Sequence, residues 1–265
     1  MHFLPFSPLY IKIIAYFCCI KNIFTPIMKK HIICTVLAAA WLAWVSIGAK
    51  QPTPHKYQPG DTVPESVIRA RGDKAFFSST PISDEVFALM RGKSFKPDCT
   101  TSRSQLRYLR CLHTDKNGRS IVGEMVVSKS IAQDVLHILQ QLYHAKYPIE
   151  RMRLIDYWNG EDEPAMRANN SSGFNFRWIS HTHTVSKHGR GLAVDINTLY
   201  NPYHKRLRNG QEVIEPATGK PYLDRSLNHP YMIKRGDLCY RLFRAKGFRW
   251  GGDWKTMKDY QHFER

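Results

Sequence analysis

The sequence predicts an α+β domain in which a small antiparallel sheet carries a cluster of histidine and aspartate side chains, with helices packed on one face. Three stretches predict it. Residues 106–112 and 120–127 read as paired strands on either side of Asp115-Lys116-Asn117-Gly118, a hairpin turn signal. Residues 130–145 place Ile131, Val135, Ile138, Leu139 and Leu142 at helical spacing behind Ser130 as N-cap, which gives one apolar stripe. Residues 186–197 run from a glycine-rich turn into Leu192-Ala193-Val194-Asp195-Ile196-Asn197, where alternate residues face opposite sides of a strand.

That third stretch carries the chemistry. His188 and Asp195 are seven residues apart, a spacing that would also put them on one helical face. Gly189 and Gly191 fall between them, however, and each glycine costs about 1 kcal/mol in a helix interior. A turn entering a strand is the better reading. Leu192, Val194 and Ile196 then face the core, Ala193, Asp195 and Asn197 face away, and His188 folds back beside Asp195. Small residues at 189, 191 and 193 leave room for a metal and a substrate backbone. A second block, Asp259-Tyr260-Gln261-His262-Phe263-Glu264, adds His262 with a carboxylate three residues before it. Two histidines and one aspartate are the three protein ligands that a catalytic zinc takes while keeping a fourth position for water, and Asp259 is left over. A histidine near an aspartate is by itself commonly a surface pair; the second block is what gives this one weight.

Ser186, His188, Gly191, Ala193 and Asp195 match every fixed position of Ser-x-His-x-x-Gly-x-Ala-x-Asp, and Asp259 and His262 match a later acid-x-x-His block. The chain thereby resembles the zinc D-Ala-D-Ala carboxypeptidase and peptidoglycan endopeptidase family, which includes vancomycin-resistance dipeptidases, phage endolysins and autolytic L-Ala-D-Glu endopeptidases. The resemblance extends over residues 106–265. Aspartate at position 259, where many members have glutamate, resembles the endolysin and autolysin branch. The resemblance implies a hedgehog/DD-peptidase-like fold and a Zn²⁺ held by His188, Asp195 and His262. Asp259 would pass a proton from the attacking water to the leaving amine, from a turn entering a last strand at 260–264. Ser172-Gly173-Phe174-Asn175-Phe176-Arg177 resembles the segment that carries a substrate-binding arginine. Arg177 would thus bind a substrate carboxylate or steady the oxyanion, and Ser186 would orient a ligand. The implied substrates are peptidoglycan stem peptides, cut at an internal L-Ala-D-Glu bond. Trimming of a terminal D-Ala is the alternative, and a non-catalytic, zinc-containing cell-wall binding module the alternative of another class.

The remaining chain frames this domain. A formal charge of +17 over 265 residues suits an anionic cell wall or membrane surface, and no helix-turn-helix, zinc-finger or ribonucleoprotein pattern supports a nucleic-acid partner. Residues 1–49 read as a targeting region. A signal peptide at 28–49 opens with Met28-Lys29-Lys30, which suggests translation from Met28 and export to the periplasm or envelope. An uncleaved signal would instead give a membrane association. Residues 50–97 read as a Pro-rich lead-in with one short helix at 83–90, and residues 98–265 as the peptidase domain. Residues 152–157 read as a strand, and 231–246 as a helix ended by Gly247. Residues 250–254 read as a turn that forms a cleft wall, with core packing as the plainer alternative. His137, His144, His204 and His229 carry no acid motif, and His181 and His183 are placed at the cleft mouth. Cys99 and Cys111 could pair in an oxidising compartment, which leaves Cys239 a buried thiol. The absence of Cys-x-x-Cys rules out a structural cysteine zinc site.

Overall fold

A long hairpin and the helix behind it organise the chain, as the pattern at 106–145 predicts. The structure, a computed structural model, describes residues 56–179 and 183–265; the signal at 28–49 and His181 lie outside them. In order come α1 (Glu65–Arg71), β1 (Ser78–Thr80), α2 (Asp84–Met90), β2 (Leu106–Thr114), β3 (Ser120–Ser128), α3 (Ala132–His144), β4 (Arg151–Met152), α4 (Asp162–Arg167) and β5 (Asn170–Ser171). The second half contains β6 (Ala193–Asp195), β7 (Tyr203–Arg206), β8 (Glu212–Glu215), α5 (Leu238–Ala245), β9 (Arg249–Trp250), β10 (Lys258–Asp259) and β11 (His262–Glu264). The fold is α+β. Its strands are divided among small sheets, β1-β2-β3, β10-β7-β8, β6-β11-β9 and β4-β5, rather than gathered into one.

Strands β2 and β3 pair in register from Leu106↔Ser128 to Thr114↔Ser120. Their turn closes with Gly118 at φ 79°, a conformation that glycine adopts without strain. Alternation along the hairpin separates two cores. Leu109, Cys111, Met125 and Val127 face the stripe Val135, Ile138, Leu139 and Leu142 of α3, whereas Leu106 and Val126 face Met90, Phe174 and Phe176. Val194 and Ile196, around β6, and Phe263 of β11 join the first core, where Phe263 stacks on Phe243 of α5 with centroids 4.2 Å apart. Each such side chain contributes about 1.5–3 kcal/mol by leaving water. The short sheet β6-β11-β9 is therefore welded to the hairpin through one apolar mass.

Several local expectations are corrected. Residues 57–97 are not a free linker: β1 pairs with β2, and Val63, Ile68, Ile82 and Met90 are buried. Ser83 does cap the helix there, accepting from Val86 N. Ser130 does not cap α3; its hydroxyl meets Ser128 Oγ, and the helix begins at Ala132 without a side-chain cap. The strand expected at 152–157 stops at Met152, because the Asn170 amide takes both the N–H and the carbonyl of Arg153. The helix expected at 231–246 begins only at Leu238, with Asp237 as its cap. Asn201 and Arg225 hold the backbone of Tyr231 and Ile233, so those groups are not available for helical bonds. Cys99 and Cys111 do not pair. Cys111 lies in the first core beside Met152, and Cys99 packs against the second, on the other face of the hairpin, near Thr101. Among the described residues no helix is long and apolar enough to cross a membrane.

Asp134 of α3 joins the chain end to this scaffold, with Arg265 Nη1 at 2.8 Å and Lys246 Nζ at 3.2 Å. The Arg265 hydrogen bond, opposed by burial and aided by Lys246, lowers its pKa. A carboxylate depressed on folding stabilises fully above its unfolded value, about 4, and that stability is lost as pH falls through the folded value. Asp134→Asn should therefore lower the urea midpoint at pH 7 and flatten its decline below pH 4; an unchanged acid limb would refute this. Alkylation in denaturant without reductant, followed by peptide mapping, should find Cys99 and Cys111 both modified, and a Cys99–Cys111 cross-linked peptide would contradict the structure.

Candidate metal centre

His188 stands on a 3-10 turn, His188–Arg190, and three features hold that turn in place. Ser186 Oγ accepts from Gly189 N at 2.9 Å, Thr101 Oγ1 donates to Gly189 O at 2.8 Å, and Gly191 O accepts from Ser128 N at 2.8 Å. Gly191 has φ 67°, and a Cβ there would lie 2.6 Å from Ser128 N, so no other residue fits without displacing the hairpin. Asp195 ends β6. It is bridged by backbone bonds to Ser172 on one side and lies opposite His262 of β11 on the other. His262 opens β11 while Phe263 points into the apolar core, and His262 and Glu264 on the other face are buried as well. The opposite face of 193–197 is covered as well, since Ala193 and Asn197 are fully buried.

The three side chains converge. His188 Nε2 lies 3.0 Å from His262 Nδ1 and 3.2 Å from Asp195 Oδ2, and His262 Nδ1 lies 3.1 Å from Asp195 Oδ1. One ligand atom from each falls within 4.8 Å of the others, a group that could hold a metal ion. His188 Nδ1 is 2.7 Å from the carbonyl of Gly173, which can only accept, so this nitrogen carries a proton and Nε2 is the atom turned inward, where it would offer a lone pair to a metal. The second histidine has carboxylates on both sides, Asp195 at Nδ1 and Glu264 Oε2 at 3.3 Å from Nε2. Burial would push His262 down, but its hydrogen bonds to Asp195 and Glu264 carry it up to about 10. Burial likewise opposes ionisation of Asp195, and the charges and hydrogen bonds of His188 and His262 outweigh it, holding that carboxyl well below the usual range. Three acceptors thus face one point that demands positive charge. A proton on His262 supplies it in the metal-free chain, and a divalent cation suits the same place, as nitrogen and oxygen donors suit zinc.

Asp259 lies on β10, in a different sheet from β6 and β11, rather than on the expected turn. It feels the charges of His262, Asp195 and His188, and its Oδ1 is buried with no hydrogen-bond partner among the described residues. Burial pushes Asp259 up to about 6, with the histidines opposing and Asp195 reinforcing the rise. The turn 251–253 lies against it so closely that a Cβ on Gly251 would come 2.5 Å from Asp259 O. Of the two aromatics beside that turn, Trp250 is core and Trp254 stands 5.5 Å from His262, centroid to centroid.

Arg177 is not brought into the ligand cluster. Its Nε pairs with Asp162 Oδ2 at 2.8 Å, and its charge acts on Glu215. Register links this region to the centre. Asp259 pairs with Tyr203 and Tyr203 with Glu215, so the three side chains share one face of β10-β7-β8 and form a wall from the metal site towards Arg177. Ser186 touches neither His188 nor Asp195 by its side chain; it acts on the histidine through the turn. His137, His144 and His183 are exposed, His204 pairs with Glu212, and His229 stacks on Tyr200. The sequence reading missed the Gly173 carbonyl and Glu264. Glu264 was findable, since residues two apart on a strand share a face; the carbonyl left no signal in side-chain identity.

Purified wild type should bind one equivalent of zinc. His188→Ala, Asp195→Ala and His262→Ala should each weaken binding by more than the about 10–100-fold typical of losing a partner behind a ligand. Full zinc affinity in any of the three would remove that residue from the set.

No solved structure matches the chain. Residues 180–265, the stretch that carries His188, Asp195, Asp259 and His262, match the family model described as D-alanyl-D-alanine carboxypeptidase.

Proposed function

We propose that the protein is an exported zinc peptidase that hydrolyses peptide bonds in peptidoglycan stem peptides, acting at the internal L-Ala-D-Glu bond. The observation that carries this reading is the convergence of His188, Asp195 and His262 beside a half-buried aspartate, Asp259, whose enclosed Oδ1 has no partner among the described residues. Zinc held by those three residues would supply Lewis acidity, acidifying a water and polarising the scissile carbonyl. Asp259 takes the proton of the attacking water on its free oxygen and returns it to the leaving amine. Its raised pKa suits both tasks, because a base poised near neutrality both accepts and releases a proton readily. The Gly173 carbonyl holds the His188 ring. Tyr203 and Glu215 form the wall along which the substrate lies, with Arg177 at its far end.

Arg177 bears on the choice of bond. Its Nε pairs with Asp162 and its charge acts on Glu215, which Glu163 also neighbours, so its Nη groups steer a substrate in a surround that is acidic on balance. A cleft closed around a terminal carboxylate needs a cation less compensated than this, which favours an internal bond. The description of the matched family favours the second reading, removal of a terminal D-Ala. The expected leader at 28–49 and the family's substrates support export to the cell envelope.

Mass spectrometry of muropeptides digested by the zinc-loaded protein separates these readings: release of L-Ala from the stem supports the endopeptidase, and loss of terminal D-Ala supports the carboxypeptidase. Asp259→Asn should keep zinc and lose about 10²–10⁴-fold in rate. Zinc bound at one equivalent with no product from the wild type would overturn the enzyme reading and leave a cell-wall binding module.

A further inference from the structure

Behind His262 lies a chain of contacts that metal ligation itself does not require. His262 and Glu264 are two apart on β11 and share a face, with Nε2 to Oε2 at 3.3 Å. Glu264 lies opposite Arg249 in the β11–β9 register, and Arg249 Nη2 holds the other carboxylate oxygen, Oε1, at 2.7 Å. The Glu264 side chain is 12% exposed, so water competes little for its oxygens, whereas Arg249 reaches it from the surface. The two ligand histidines therefore present opposite nitrogens to the centre. His188 is fixed from behind by a neutral backbone carbonyl on Nδ1, and His262 by a carboxylate on Nε2.

We infer that Glu264, held by Arg249, is a positioning residue that fixes the tautomer and ring orientation of His262 for metal. When a cation takes the lone pair on Nδ1 of His262, the remaining ring proton must lie on Nε2, and an acceptor must stand there. Glu264 supplies it. A carboxylate behind an imidazole also makes the ring a stronger donor than a carbonyl does. The site thus has one ordinary and one strengthened histidine, and Arg249 limits the strengthening while keeping the carboxylate in place. A purely structural role for Glu264 would need the β9–β11 ion pair alone and would be indifferent to metal. The inference rests on His262 being a zinc ligand.

The test measures zinc affinity by competition with a chromophoric chelator and histidine tautomers by ¹H–¹⁵N correlation spectra of the zinc-loaded protein. In the wild type His262 should give an Nε2–H signal and His188 an Nδ1–H signal. Glu264→Ala should weaken zinc by about 10–100-fold and broaden or lose the His262 signal while leaving that of His188. Glu264→Gln, which keeps an acceptor without the charge, should recover part of the affinity and the signal. Arg249→Met should lose about two- to five-fold, the scale of an exposed ion pair, and Arg249→Lys should restore most of that. If Glu264→Ala does not fold by circular dichroism, Glu264→Gln and the two Arg249 variants carry the same comparison. Wild-type affinity and an unmoved His262 signal in Glu264→Gln and Arg249→Met would overturn the positioning role alone. A wild type that binds no zinc would overturn the metal-site reading and this inference with it.

Discussion

The pairing of β6 with β11 in the register Asp195↔His262 is the constraint on which the site depends. It sets an aspartate from one half of the domain directly opposite a histidine from the last strand, at cross-strand distance and on one face. A slip of one residue would turn Asp195 towards the core and drive Val194 or Phe263 into the metal position. The apolar mass behind the sheet prevents that slip. Val194, Ile196 and Phe263 are fully buried against α3 and α5, so a changed register would exchange several buried hydrocarbons for buried charges. The ligand geometry is in this sense held by the core.

The third ligand arrives by backbone chemistry. His188 stands on a turn that belongs to no sheet, and its place is set by glycines that let chains approach to contact distance. Gly191 allows the turn to lie on Ser128, and a Cβ on Gly173 would meet Val126 O at 2.4 Å. That same glycine presents the carbonyl that orients the His188 ring. Rigid backbone behind a ligand needs no reorganisation when metal arrives.

Electrostatics divides the carboxylates near the centre into roles. Asp195 lies between two imidazoles and stays ionised, as a ligand must. Asp259, half-buried with its Oδ1 enclosed and set back in another sheet, is less stabilised as an anion and keeps that oxygen unpaired. Glu264 is spent between His262 and Arg249. Three acids in one small volume thus differ in what surrounds them, and it is the surroundings that suit one to hold a metal, one to carry a proton and one to support a ring.

The hairpin at 106–128, the apolar stripe of α3 and the turn-to-strand character of 186–197 were legible in the sequence because each rests on local rules, periodicity and glycine's torsional freedom; that His188, Asp195 and His262 belong together was legible through the motif resemblance, and the three do converge. What the tertiary structure alone decided depends on groups distant in the chain. Asn201 and Arg225 claim the backbone of 231–233 and delay α5, Asn170 ends β4, and residues 57–97 join the hairpin by an edge strand. The two cysteines face opposite sides of a sheet whose faces the sequence does not label. Arg177 was visible as a cation, but its pairing with Asp162 was not, because an ion pair depends on where two side chains end up and not on what they are. Residue identity determined what chemistry this chain can hold; packing determined which of those groups meet.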